Sequence, residues 1–202
     1  MRGLYVITDT ANYDQETLLT AVEDALTGGA SMVQYREKRL SSIHRESIAL
    51  ALHALCRERG APLIINDDVR LAQRVNAEGV HLGRDDDSYE AARQMLGPGK
   101  MIGLSCYAGL DRAEQMQKAG ADYVAFGRFY ASKTKPDAEL ASADLLTHAK
   151  AVLNIPIVAI GGITAENGAP LIAAGADLLA VVDGVFGQAD VTKSAQGIAA
   201  LF

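Results

Sequence analysis

Eight short apolar runs alternate with longer segments of helical periodicity, and this alternation limits what the chain can become more than any other feature. The runs cover residues 4–7, 31–35, 62–65, 79–82, 101–104, 123–126, 156–160 and 178–182. Residues 16–26, 42–59, 69–75, 89–96, 110–119, 143–153 and 165–174 lie between them and repeat their apolar positions at helical intervals, and 191–201 does the same after the last run. Strands that alternate with helices and read as apolar throughout form parallel sheets covered on both faces. Eight such units in 202 residues predict an α/β architecture closed as a compact (β/α)8 TIM barrel, a single domain over 1–202. An open doubly wound sheet is the alternative that the alternation leaves standing.

Local signals agree with these elements. Ser41 or Ser42 suits the N-cap of the second helix and Gly60 the position just past its end. A weak echo, Gly28-Gly29-Ala30-Ser31, Ala77-Glu78-Gly79-Val80, Ala119-Gly120-Ala121-Asp122 and Ala174-Gly175-Ala176-Asp177, leads into four of the strands. It falls on their N-terminal side and reads as architecture rather than chemistry.

Composition excludes several classes. A net charge of −6 argues against general binding to nucleic acid or a membrane surface, and no apolar stretch nears the roughly 20 residues of a membrane span. The apolar run at the N-terminus is far too short for a signal sequence. Two cysteines, Cys56 and Cys106, do not make a disulfide framework, so the expectation is a cytoplasmic chain with Cys106 as a small packed residue. No His/Cys cluster has zinc spacing and no Ser-His-Asp arrangement is visible; His44, His53 and His148 fall in helices, and His81 inside the fourth strand reads as a packing or hydrogen-bonding residue.

In a barrel of this kind the chemistry lies where strands end. Thr8-Asp9 follows the first strand, and Gln34-Tyr35-Arg36-Glu37-Lys38 closes the second. Asn66-Asp67-Asp68 follows the third, Gly83-Arg84-Asp85-Asp86-Asp87 the fourth and Ser105 the fifth. The sixth runs into Ser132-Lys133-Thr134-Lys135, the seventh into Gly161-Gly162, and the eighth ends in Val182 before Asp183. Gln34, Arg36, Lys38 and Lys135 would gather three positive charges and an amide on one rim, facing Asn66, Asp67 and Asp86. Cations beside paired carboxylates suit a Mg²⁺–diphosphate, because Mg²⁺ takes one or two carboxylates together with waters and phosphate oxygens. A rim network in which Arg36 and Lys38 simply pair with Asp67 and Asp86 is the other reading. Gly161-Gly162 offers a second anion grip, since glycines admit close backbone approach and N–H groups opening the next helix can point at phosphate.

Six motifs in order, Val33-Gln34-Tyr35-Arg36-Glu37-Lys38, Ile64-Ile65-Asn66-Asp67, Gly79-Val80-His81-Leu82-Gly83, Gly103-Leu104-Ser105, Thr134-Lys135 and Ala159-Ile160-Gly161-Gly162-Ile163, resemble those of the thiamine phosphate synthase family. The resemblance runs from Leu4 to about Phe186. It implies a (β/α)8 transferase that joins an aminopyrimidine diphosphate to a thiazole phosphate with Mg²⁺ and releases diphosphate. By position, Gln34, Arg36, Lys38, Asn66, Ser105 and Lys135 resemble pyrimidine-diphosphate contacts, with Arg36, Ser105 and Lys135 nearest the chemistry. Asp67 and Asp86 resemble the metal ligands; Ser132, Thr134 and Gly162, with the Val182-Asp183 backbone, resemble the thiazole-phosphate grip. Ser132 stands where many members have Thr, and Asp183 where Ser is common; a carboxylate there would repel phosphate if it pointed inward, with Arg128 a candidate to offset it. Small-molecule substrates and a possible homo-oligomer are expected. A thiazole tautomerase on the same barrel is the nearest rival, but such proteins carry a His shortly after strand five, where this chain has Ser105-Cys106-Tyr107. A non-catalytic phosphate-ligand sensor is a further alternative.

Overall fold

The computed structural model describes residues 1–83, 86, 88–131 and 140–202. The chain runs β1 (Gly3–Ile7), α1 (Gln15–Thr27), β2 (Ala30–Tyr35), α2 (Ser42–Glu58), β3 (Leu63–Asn66), α3 (Val69–Arg74), β4 (Gly79–Leu82) and α4 (Tyr89–Leu96). It continues through β5 (Met101–Tyr107), α5 (Leu110–Ala119), β6 (Tyr123–Gly127), α6 (Ala143–Val152), β7 (Ile157–Ile160), α7 (Ala169–Ala173), β8 (Leu178–Val181), α8 (Asp183–Phe186) and α9 (Val191–Ala199). All strand pairs are parallel, and β1 pairs with both β2 and β8, so the sheet closes in sequence order. Closure removes the open-sheet alternative: this is a (β/α)8 barrel.

Alternation along each strand sorts side chains into two cores. Leu4, Val6, Val33, Ile65 and Val80 face outward into the layer beneath the helices, while Tyr5, Ile7, Met32, Ile64, Tyr123 and Val158 fill the barrel. Gly103 lies against this filling: a Cβ there would come 1.9 Å from the Tyr123 ring, so only glycine leaves room for that aromatic. Among the described residues no helix is long and apolar enough to cross a membrane.

The echo before the strands has a physical meaning at the barrel's base. Glu78, Asp122 and Asp177 each donate a backbone N–H to a residue at the start of a strand, to Leu63 O at 3.1 Å, Ile102 O at 3.0 Å and Ile157 O at 2.8 Å. Each carboxylate then accepts the N–H of that same residue, at 2.9, 2.8 and 2.9 Å. Its other contact is a base on the helix preceding that strand: His53 of α2, Arg93 of α4 or Lys150 of α6. The barrel base is thus held by three copies of one acid clamp. The unit containing β1 and β2 has no acid at that place and uses Ser31 Oγ, which donates to Leu4 O at 3.0 Å.

Three sequence expectations are corrected. The seventh helix begins at Ala169 rather than 165, because the Asn167 side chain folds 162–167 into a turn, bonding Thr164 N at 2.8 Å and Gly162 O at 3.0 Å, and Pro170 suits a first helical turn. β5 continues to Tyr107 through an irregular register after Ser105, with Tyr107 at φ 56°. The short α8, directly after β8, was unread in a segment with no helical period of its own. Ser41 proves to be the N-cap of α2, and Gly60 takes φ 70° just past its end.

Candidate active site

The strands' C-terminal ends open into a cavity of about 360 Å³. That is within the roughly 300–1,000 Å³ usual for small-molecule sites. Gln34, Arg36, Asn66, Ser105, Gly162, Val182 and Asp183 all line it. Lys38, Asp67 and Asp86 stand beside it without lining it. Ser132, Thr134 and Lys135 lie outside the described residues.

The cationic loop after β2 is fixed by its backbone. Thr8 Oγ accepts the N–H of Arg36 at 3.0 Å, and the hydroxyls of Thr8 and Thr10 donate to Arg36 O at 3.4 and 3.3 Å. Glu37, whose side chain is only 2% exposed, turns back to accept the N–H groups of Arg39 and Leu40 at 2.5 and 3.3 Å. Burial pushes the Glu37 carboxyl up, but the donors on Arg39, Thr10 and Leu40 outweigh it and hold the group below its ordinary range. The Arg36 side chain is left to face the cavity, and among the described residues it has no carboxylate partner.

Asp67 adopts φ 63°, with its N–H given to His81 O at 2.9 Å. Its carboxylate receives Lys38 Nζ at 2.8 Å and is hydrogen-bonded to Asp86. Burial raises both acids; the bonds from Asp86, Lys38 and Asn66 then carry Asp67 below its ordinary value, while the bond to Asp67 adds to burial and leaves Asp86 above. Asp86 is also held by Gly83, whose N–H it accepts at 2.6 Å. Two carboxylates in mutual contact are what one cation would hold in common. Among the described residues no group of three or more His, Cys, Asp or Glu stands together. Of the rim network anticipated as an alternative, the Lys38–Asp67 pair is present; Arg36 takes no part in it.

Ser105 belongs to a polar group inside the barrel. Its Oγ lies 2.9 Å from His81 Nε2, and His81 Nδ1 lies 3.1 Å from the Tyr123 hydroxyl. Tyr5 joins Tyr123 at 3.0 Å and receives Gln34 Nε2 at 2.6 Å. Burial drives both tyrosine hydroxyls well above their ordinary range, so both keep their protons. Tyr5, His81 and Tyr107 also line the cavity, and sequence reasoning assigned them no place there. Tyr5 and Tyr123 sit in apolar runs like any barrel-filling aromatic; a polar His81 inside an apolar strand was the one available signal. Cys106 is buried, with its thiol pushed up to about 11 by burial, as suits a packed residue.

At the opposite side, Gly161 and Gly162 take φ 107° and 64°. A Cβ on Gly161 would come 2.3 Å from the Arg128 Cβ, and one on Gly162 2.3 Å from Ala131 O, so both glycines admit the irregular segment that follows β6. The helix after Gly161-Gly162 begins at Ala169, with the Asn167 turn between them. Arg128 and Asp183 share the cavity wall; Asp183 Oδ1 lies beside its own Gly187, where a Cβ would be 2.3 Å away.

Comparison with known proteins gives this geometry a lineage. A family model described as thiamine monophosphate synthase matches residues 4–185. The thiamine-phosphate synthase of Thiobacillus denitrificans is 53% identical over 200 residues, covering 99% of this chain and 94% of that protein. That of Azoarcus sp. (strain BH72) is 51% identical over 202 residues, covering 100% and 98%. The solved thiamine phosphate pyrophosphorylase from Pyrococcus furiosus superposes with a TM-score of 0.90 at 34% identity over 98% of this chain and 94% of its own. The matched span reaches all eight strands and every strand-end residue described above, and the chain belongs to the thiamine monophosphate synthase family of enzymes.

Proposed function

We propose that the protein condenses 4-amino-2-methyl-5-(diphosphooxymethyl)pyrimidine with 4-methyl-5-(2-phosphooxyethyl)thiazole, or its carboxylated form, to give thiamine phosphate and diphosphate. The observation that carries this reading is the convergence of Gln34, Arg36, Asn66 and Ser105 on one cavity beside the joined carboxylates of Asp67 and Asp86. In the reaction the bond from the methylene carbon to the diphosphate oxygen breaks, and its electron pair leaves with diphosphate. The thiazole nitrogen supplies the pair that forms the new bond. No protein nucleophile is required. The electron-rich aminopyrimidine stabilises positive charge on the methylene, so bond breaking can run ahead of bond making.

Arg36 projects its charge at the leaving group from a backbone already fixed by Thr8 and Thr10, and Lys38 exchanges Asp67 for phosphate oxygen. Lys135 adds a third charge from the loop after β6. Asp67 and Asp86 would hold Mg²⁺, which would supply Lewis-acid neutralisation of the departing diphosphate. Ser105, Gln34 and Asn66 orient the pyrimidine. Ser132, Thr134, Gly162 and the Val182-Asp183 backbone hold the thiazole phosphate, with Arg128 offsetting the Asp183 charge. The substrates are small molecules in the cytoplasm, and no nucleic acid or membrane takes part; a homo-oligomer is compatible with this scheme.

The test is product formation from both substrates with Mg²⁺ and with a chelator. Thiamine phosphate should form only with Mg²⁺, and no product in its presence overturns the proposal. Asp67→Ala should lower turnover about a hundredfold, the scale of losing one charge-stabilising group in a closed site. An unchanged rate would remove the metal assignment while leaving the reaction in place.

A further inference from the structure

The polar group inside the barrel is one continuous chain. It runs from Gln34 to Tyr5 (2.6 Å), to Tyr123 (3.0 Å), to His81 Nδ1 (3.1 Å), and from His81 Nε2 to Ser105 (2.9 Å). Its members come from β2, β1, β6, β4 and β5, so it crosses the interior from wall to wall. Gln34 and Ser105, its two ends, face the cavity, whereas Tyr123 in the middle does not line it.

Counting hydrogens gives the chain a direction. The Gln34 NH2 group can only donate. Tyr5 therefore accepts from Gln34, and its own hydrogen, on a side chain 1% exposed, has the Tyr123 oxygen as its acceptor among the described residues. Tyr123 then directs its hydrogen to Nδ1 of His81. With Nδ1 accepting, Nε2 carries the proton and donates it to Ser105 Oγ, which leaves the serine hydrogen to point into the cavity. In the opposite direction Ser105 would donate to His81, Tyr5 would accept twice, and its hydrogen would be stranded in the interior. Packing holds the intermediates in place: the His81 ring stacks on Tyr123 with centroids 5.6 Å apart, and Gly103 leaves the space the Tyr123 ring occupies.

We propose that His81 is a positioning residue that fixes Ser105 as a hydrogen-bond donor toward bound substrate, its orientation set from Gln34 through Tyr5 and Tyr123. This rests on the functional reading above, in which Gln34 and Ser105 touch the same aminopyrimidine diphosphate. A fixed donor at Ser105 favours an acceptor on the substrate, a ring nitrogen or a diphosphate oxygen, and disfavours an N–H in the same place. The ends of the chain then act together, so that one orientation of the pyrimidine is selected by both.

Two measurements test it. In ¹⁵N-histidine spectra of the wild-type protein, with His81→Asn used to assign the signal, His81 should be the Nε2–H tautomer; a proton on Nδ1 overturns the proposed direction. Tyr123→Phe keeps the ring and removes only the central hydroxyl. It should lower kcat about tenfold with KM for the pyrimidine diphosphate within about twofold, and cause no further loss when added to Ser105→Ala. A wild-type kcat in Tyr123→Phe, or losses that multiply in the double variant, would show that the tyrosine does not act through Ser105. If the wild-type protein forms no thiamine phosphate, the reading of function fails, and the tautomer measurement still decides the direction of the chain.

Discussion

Glu37 illustrates how one buried carboxylate can serve a site it never touches. It lies between the two cations of the β2 loop and folds the chain after them by accepting backbone N–H groups. Its folded carboxyl titrates below the ordinary glutamate range, so the stability it contributes is present above that range and is lost as pH falls through the lowered value. Glu37→Gln should therefore be less stable than wild type near neutrality, and the difference should shrink in unfolding curves taken below about pH 4. A gap that stays constant with pH would mean that charge is not what holds the loop. Gly103 makes the complementary point about space. Gly103→Ala places a methyl against the Tyr123 ring and should cost about 1–3 kcal/mol by denaturant unfolding, the range for overpacked cores. Single residues were partly legible in the sequence. Ser105 and Arg36 could be placed because they follow apolar strands, but the partners of Ser105 could not, because they come from four other strands and meet only inside the closed barrel.

Elements were easier to read than their ends. Tyr89–Leu96 and Leu110–Ala119 match the sequence expectation residue for residue, and each is closed by a glycine at its C-terminal end, Gly97 and Gly120. α7 was overextended because apolar residues at 165–174 keep a helical period even though Asn167 ties the first of them into a turn. The acid clamps at the base lend themselves to a quantitative test. Asp122→Ala removes the acceptor of Ile102 N and the partner of Arg93 together, and should destabilise by about 1–3 kcal/mol in urea unfolding. Lys150→Ala, which removes only a half-exposed cation from the Asp177 clamp, should cost about 0–1 kcal/mol. Equal losses would place the clamp's contribution in its ion pair rather than in the strand amide.

For the whole molecule, alternation predicted units, and closure supplied what alternation could not: whether β1 meets β8 is decided by geometry summed over every strand. The net charge of −6 sits alongside a cationic loop at the cavity, which suits selective uptake of anionic small molecules over polyanions. If the two share one site, diphosphate and Mg²⁺ together should raise the melting temperature by more than the sum of their separate effects, as measured by differential scanning fluorimetry. Additive shifts would separate the two sites. The clamps also bear on how such a barrel can change over time. Each clamp ties an even-numbered helix and its two following strands at the end remote from the cavity, so the connections after β4 and β6 fall between clamped units and the one after β2 between the Ser31-fastened unit and the first clamped one. Those connections carry Arg36 and Lys38, Asp86, and the Ser132–Lys135 stretch. Insertions and replacements there leave each base fastening untouched, which makes these three joints the places where a descendant of this chain can acquire a new substrate while keeping its barrel.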